Sequence, residues 1–421
     1  MTIQATDFDK ETTAYVEEKL RENQPFEDLI KENYKSVEKK EEEEKQKELL
    51  KEIYLNLIDI LKRYVDVPEE SYTLISLWII GTYLHKEFPS YPFLFFNAMK
   101  GSGKTRLLKL TTYLSKDGQL LNSLTEAVLF RTSGALGIDE FEGISRKGGE
   151  NLRELLNSAY KKGTKVKRMR KKKSADGEEQ VVEEFDVYRP IILANIWGME
   201  SVLGDRCINL ILERSTNDKI TKTMELFEYD DLIQNTKKLL NQCSLWSVVT
   251  PTNVYQEWNT YIYTHYTTSY TTYNNINYIE KSSTLTTLFD SINKSEINGR
   301  HLELAMPLLI IANSVSEEVF TTTLNTLSVI MKDKIQTDFT DNSDVSLIDF
   351  VSQEVDGEFK QVKKITEEFR MFVQGGDEIN DKWMGRALKR LNLIKQKRRL
   401  GRGVEVKLDI LKAQEKIGMF R

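Results

Sequence analysis

The chain has 421 residues, too many for one small module and enough for two to four domains with at least one full-sized core. Hydrophobic residues make up 40% and charged residues 30%, and the mean hydropathy of −0.46 fits a folded protein carrying some solvated helix. Two Cys and three His exclude a disulfide framework and any zinc site built from clustered Cys and His. The net charge of −5 argues against diffuse nucleic-acid binding, but the charge is unevenly distributed.

Residues 1–50 are strongly charged, and Glu38–Glu48 (EKKEEEEKQKE) has no apolar residue to anchor a core. That block reads as solvated helix or linker, with a partner-docking helix as the sharper alternative. Apolar residues then recur at helical spacing from Ile53 to Leu61, and a second apolar helix is expected over Tyr72–His85. No run reaches the length of a membrane span, and the N-terminus is acidic and polar, so the expected compartment is the cytoplasm, reducing and away from any membrane.

From Tyr91 short apolar runs alternate with amphipathic helices, the pattern of a parallel α/β sheet. Strands are expected at Phe93–Asn97, Ala135–Asp139 and Ile191–Asn195, with a weaker one near Leu120–Asn122. A helix over Asn151–Lys162 precedes an alternating basic segment, Thr164–Lys172. The turn Ser174–Gly177 and the strand Gln180–Val187 then complete a β-hairpin. The α/β core is placed at 51–220, with the hairpin at 161–188. A helical domain follows at 221–340, and the last unit, 341–421, has the element order of a winged helix.

The strongest chemical signal is FLFFNAMKGSGKT over Phe93–Thr105, an apolar strand running into a Gly-containing loop and then a helix over Arg106–Leu114. A triphosphate needs several backbone N–H groups aimed into one concavity, glycines that let the chain approach, and a lysine on the β- and γ-phosphates. Lys100, Gly101, Ser102, Gly103, Lys104, Thr105 and Arg106 form that cradle for ATP, and Thr105 offers a hydroxyl to Mg²⁺. Ala98 stands where the motif's first Gly is usual.

The segment ALGIDEFE follows, a strand ending in two carboxylates. Asp139 is expected to hold Mg²⁺ through water, and Glu140 to polarise the water that attacks the γ-phosphate. Asn195, at the tip of the next strand, suits a hydrogen bond to the γ-phosphate and that water; an ordinary loop Asn is the bland reading. Arg206 precedes a further strand and is the candidate to reach a neighbouring subunit's phosphates, with Arg214 as its competitor and a surface ion pair as the alternative.

This order of phosphate loop, acidic strand end, basic hairpin, Asn-tipped strand and Arg before a strand resembles the AAA+ ATPases, and most of all the minichromosome-maintenance (MCM) helicases. Such ATPases also occur as replication proteins of plasmids, viruses and integrated elements. The resemblance covers about residues 70–335 and, more loosely, the C-terminal unit. It implies an AAA+ P-loop ATPase core, a helical lid with Arg300 of INGRHLELAMPLLIIA in the sensor-2 place, and a winged-helix DNA-binding domain. It further implies an ATP- and Mg²⁺-dependent DNA helicase acting in replication as a homo-hexameric ring that travels 3′→5′ on single-stranded and forked DNA, with a primase or initiator as a further partner. No Cys cluster for the family's zinc-bearing collar is present.

Two basic clusters carry the nucleic-acid expectation. Lys161–Lys173 has nine Lys or Arg in thirteen residues and no acid. On the resemblance, Lys165, Lys167, Arg168, Arg170 and Lys171 become backbone contacts in a central pore; on charge alone, the acidic second strand admits a self-paired surface hairpin. Lys382–Arg402 again has nine Lys or Arg and no acid, with Trp383, Ala387, Leu388 and Leu391 forming an apolar face. That leaves Arg386, Lys389, Arg390 and the wing's Arg399 for duplex DNA, or for protein contacts. The aromatic stretch Tyr255–Tyr278 has the spacing of a packing face more than of a base-stacking platform, and neither the His nor the Cys residues receive a catalytic role. Two rivals remain beside the helicase: a non-translocating initiator or loader that binds DNA through its winged helix, and a degenerate ATPase acting as a DNA-binding scaffold.

Overall fold

The computed structural model describes residues 26–98, 100–122, 124–139, 150–174, 177–195, 201–243, 249–267, 283–341, 343–354, 358–373, 379–400 and 403–418. It divides into two units, 1–328 and 329–421.

The first unit opens with two helices, α1 (Phe26–Tyr64) and α2 (Glu69–Thr82). The charged block lies within α1, where residues 40–49 are mostly exposed. Burial starts at Leu50 and continues through Ile53, Leu57, Ile60 and Leu61, the helical spacing that seats one face on the core. Helix α2 is buried along almost its whole length. Its Trp78 Nε1 donates to Pro92 O (2.7 Å), and Tyr91 Oη donates to Trp78 O (2.6 Å), fixing the entry into the first strand.

The sheet contains β1 (Phe93–Ala98), β2 (Gln119–Leu121), β3 (Leu136–Ile138), β6 (Ile191–Asn195) and β7 (Cys207–Leu212). Its order is β2-β3-β6-β1-β7, and every pairing is parallel. The buried run of β6 (Ile191, Ile192, Leu193, Ala194) is what a strand covered on both faces requires. Between the strands lie α3 (Lys104–Leu114), α4 (Glu126–Arg131), α5 (Glu150–Ala159) and α6 (Ser201–Gly204). The hairpin strands β4 (Lys165–Ser174) and β5 (Gly177–Asp186) form a sheet of their own, antiparallel from Lys165 opposite Asp186 to Ser174 opposite Gly177.

Helices α7 (Asp218–Lys222), α8 (Asp231–Gln242), α9 (Pro251–Thr267), α10 (Ser283–Lys294), α11 (Gly299–Val315) and α12 (Glu317–Asp341) follow. Trp258 stacks on Tyr261 at 5.7 Å and meets Phe289 edge-on at 5.5 Å, so these aromatic residues of α9 pack against α10. Tyr263 faces solvent, and 268–282 lie outside the described residues.

The second unit carries α13 (Ser343–Ser352), β8 (Lys360–Gln361), α14 (Val362–Phe372), α15 (Asp381–Arg390), β9 (Ile394–Leu400), β10 (Gly403–Leu408) and α16 (Ile410–Gly418). Its antiparallel sheet runs β8-β10-β9, and its core joins Leu347, Val351, Ile365, Phe369, Met384 and Leu388 with Val406 and Ala413. The short β8 is an element that pattern reading does not reach.

Candidate functional site

Ala98 is the last residue of β1, buried and paired with Leu212. It sits in extended backbone, where a glycine has no advantage. The positions that need glycine come later: Gly101 and Gly103 both have φ of 81°, the left-handed region where a Cβ is costly. Gly103 also caps α3, and the helix ladder includes Leu107 N–H donating to Gly103 O at 3.0 Å. The first-turn amides ahead of Leu107 have no intrahelical acceptor and point out of the helix start.

Three side chains converge there. Lys104 Nζ lies 3.2 Å from Asp139 Oδ1, and Thr105 Oγ1 donates to Asp139 Oδ2 at 2.9 Å. The Lys104 and Asp139 side chains are only 11% and 16% exposed, so this pair is far better shielded than an ordinary surface ion pair. Ser102 Oγ is buried without a hydrogen-bond partner among the described residues. A buried hydroxyl and first-turn amides flanking a lysine suit a phosphate chain. Thr105 and Asp139 supply two hard oxygens of the kind that hold Mg²⁺ when phosphate and water complete its shell.

Sheet order adds Asn195. Because β6 lies between β1 and β3, Asn195 pairs in register with Asn97 on one side, and Leu193 pairs with Ile138 on the other. Asn195 is buried at the same strand edge as Asp139. Glu140 lies outside the described residues.

Arg106 and Arg214 differ in where they point. The Arg106 guanidinium is turned from the loop, with Nη1 donating to Ile220 O (2.7 Å) and Nη2 to Thr223 O (2.9 Å). Only its backbone N–H remains for a phosphate. Arg214, just past β7, instead lies on the loop of its own chain: Nε and Nη2 donate to Lys100 O at 3.0 and 2.9 Å. A Cβ built on Gly101 would sit 3.4 Å from Arg214 Nε, an ordinary contact, so the positive φ is what asks for glycine there.

Arg206 and Arg300 meet at the opposite edge of the sheet. Arg206 O accepts from Phe93 N at the start of β1, whereas Lys104 follows its end. Arg206 Nε donates to Asn157 O (3.0 Å) and Nη1 to Val202 O, and its Cζ lies 5.2 Å from the Tyr160 ring centroid. Arg300 Cζ lies 5.7 Å from the same ring, and its Nη1 is paired with Asp205. Burial first, and the positive charge of Arg300 second, hold the Arg206 guanidinium below its ordinary value. Arg300 is thus brought beside Arg206 and away from Lys104.

On the hairpin, Lys165 and Lys167 share one carboxylate, Glu184, at 3.1 and 3.2 Å. Those two hydrogen bonds hold Glu184 below the usual carboxylate range. Lys165 also lies opposite Asp186, so this exposed face sets Lys165 and Lys167 against Glu184 and Asp186. Arg168 pairs with Glu126 of α4. Arg170 and Lys171 lie opposite Val181 and Gln180, and their side chains lie outside the described residues.

In the second unit Met384, Ala387 and Leu388 are buried, with Trp383 stacked on Phe369 at 6.1 Å. Arg386, Lys389, Arg390 and Arg399 are exposed, Arg390 being paired with Asp344 at 2.6 Å. The neighbouring Arg398 is tied to Glu405 (2.7 Å) and lies 4.0 Å from the Phe359 ring centroid.

No protein-family model matches the chain, and no curated protein matches it in sequence. Among solved structures, two apo A-form structures of the NrS-1 C-terminal region each cover 86% of this chain and 75% of their own at 12% identity, with TM-scores of 0.32 and 0.34. JCV helicase with a bound thiazolopyridine-phenoxyphenyl acetamide covers 64% of this chain and 79% of its own at 15% identity, with a TM-score of 0.22. Likenesses this distant do not say which residues act.

One residue in β3 tests how the site is held. A Cβ on Gly137 would lie 2.0 Å from Thr112 Oγ1 and 3.2 Å from Thr112 Cβ. Gly137→Ala must therefore push β3 off α3, two residues before Asp139. A loss of about 1–3 kcal/mol is expected, read as a lower thermal midpoint. An unchanged midpoint would show that β3 does not rest on α3 this closely.

Proposed function

We propose that this chain is an ATP-hydrolysing DNA helicase of the AAA+ type, related to MCM-like replication enzymes and working as a ring, by expectation a hexamer. The observation that carries the reading is the convergence of Lys104 and Thr105 on Asp139, with the Asn195 strand set between the strands that bear them. A loop, a lysine, a hydroxyl and a carboxylate at adjacent parallel strand ends are the parts that phosphoryl transfer needs.

In this reading the first-turn amides and Ser102 hold the phosphates, and Lys104 leaves Asp139 for the β- and γ-phosphate oxygens. Thr105 and Asp139 would hold Mg²⁺, whose chemistry would be to neutralise charge on the phosphates. Asn195, with Glu140, orients the attacking water. Arg214 keeps the loop in shape through Lys100 O. Arg206, remote from its own loop, serves the neighbour's phosphates, with Arg300 beside it. The exposed Lys165 and Lys167 suit a single-strand backbone, and the exposed Arg386, Lys389 and Arg399 suit duplex DNA in a winged-helix manner.

That second basic surface also favours the other reading, an initiator or loader that grips duplex DNA and uses ATP only to assemble. A forked duplex with a 3′ tail separates the two. The helicase displaces the labelled strand in an ATP- and Mg²⁺-dependent manner; hydrolysis without displacement, on tailed and untailed forks alike, would make the protein an initiator or loader.

A further inference from the structure

The stem of the hairpin is fastened to the core by contacts of three kinds. Arg168 Nη2 donates to Glu126 Oε2 at 2.9 Å, and the Arg168 Cζ lies 5.8 Å from the centroid of Phe130. Phe130 in turn stacks on Phe185 of β5, centroids 4.5 Å apart and planes 22° from parallel. Glu126 and Phe130 are four residues apart on α4, so one helix face receives the whole set. A guanidinium held between a carboxylate and a ring has its planar fork fixed in direction, which an ammonium would not.

Both chain paths leaving this stem lead to the strand ends that hold Asp139 and Asn195. From α4 the chain passes Thr132 into β3 and Asp139. From β5 it passes Arg189 into β6 and Asn195. The two paths are tied to each other, because Arg189 Nη1 donates to Thr132 O (2.6 Å) and Thr132 Oγ1 (2.9 Å). Arg189 is buried, and loss of water holds its guanidinium below the ordinary value, so this tie lies inside the core. By strand alternation Arg168 faces away from Lys165 and Lys167, the exposed cations.

We infer that Arg168 is a positioning residue and not a phosphate ligand: with Glu126 and Phe130 it pins the hairpin stem to α4, so that a load on the hairpin reaches the strands bearing Asp139 and Asn195. The inference rests on the ATPase reading above and adds to it the element through which polynucleotide binding stimulates hydrolysis. Lys165 and Lys167 keep the contact with the polynucleotide.

Glu126→Gln tests this directly, with hydrolysis measured with and without single-stranded DNA and with DNA affinity measured by anisotropy over a salt series. The expected result is unchanged hydrolysis without DNA and a stimulation by DNA reduced about threefold to tenfold, the effect of weakening one contact on a coupling route. The slope of log affinity against log salt stays the same. The paired variant Glu126→Arg with Arg168→Glu rebuilds the ion pair and is expected to recover most of the stimulation. The proposal is overturned if stimulation survives in Glu126→Gln, or if the freed Arg168 steepens the salt slope by about 0.7, the mark of one added phosphate contact on a single strand. It is equally overturned if the exchanged pair recovers nothing. Failure of the ATPase reading would show differently, as absent hydrolysis in the unaltered protein.

Discussion

Lys104→Ala is expected to lower ATP hydrolysis by at least about 10²–10³-fold, the loss typical of removing one preorganised donor from a developing charge. The expectation follows from shielding. Lys104 and Asp139 lie 3.2 Å apart at a strand edge with 11% and 16% of their side chains exposed. Water there competes poorly for the ammonium, and on the proposed reading a triphosphate in the loop would take it from Asp139, whose carboxylate would then serve a bound Mg²⁺. Alanine removes the ammonium, while Thr105 Oγ1 still donates to Asp139 Oδ2. Fold loss is told apart by the thermal midpoint, and binding by a fluorescent-nucleotide titration. Turnover at the unaltered rate in a folded Lys104→Ala protein would remove this site from the chemistry.

Arg206→Ala carries an expectation of similar or greater size, about 10³-fold or more in hydrolysis, with nucleotide affinity at the variant's own loop retained. Geometry supports the split. β1 and β7 pair from Phe93 opposite Cys207 to Ala98 opposite Leu212, so the strand places roughly 17 Å between its two ends at the usual rise per residue. Arg206 precedes the first pair and the phosphate loop follows the last. It therefore cannot serve the loop of its own chain while the sheet stays intact. Beside it stand Arg300 and Asp205, and the two guanidinium groups share the Tyr160 ring. Mixing gives the decisive measurement. In a ring, an Arg206→Ala subunit keeps a working loop and a Lys104→Ala subunit keeps a working arginine, so a mixture of the two inactive proteins should regain activity. If mixed assemblies form and stay inactive, the shared site is wrong.

Some of this site is legible in the chain alone because its causes are local. The apolar strand, the glycines at positive φ and the helix beginning at Lys104 follow one another within a dozen residues, and each answers to backbone sterics or to hydrophobic pattern. The hairpin is legible for the same reason: alternation and the turn Ser174–Gly177 set its register from Lys165–Asp186 to Ser174–Gly177. Asp139 and Asn195 are legible as strand ends.

What the chain could not disclose is which long side chain reaches which partner. Arg106 follows the loop in sequence but turns to the carbonyls of Ile220 and Thr223, whereas Arg214, more than a hundred residues away, lies on Lys100. Arg168 sits in a run of cations that all look alike, yet it is Arg168 that pairs with Glu126. The short β8 has too few residues to show a period. Glycine positions, strand ends and amphipathic faces are determined by the sequence itself, since sterics and hydrophobic burial act residue by residue along the chain. The placement of β6 between β1 and β3, and the partner of each arginine, were decided only by tertiary structure. A guanidinium on a flexible stem carries no directional preference of its own, and finds its acceptor only after the sheet order has brought distant segments together.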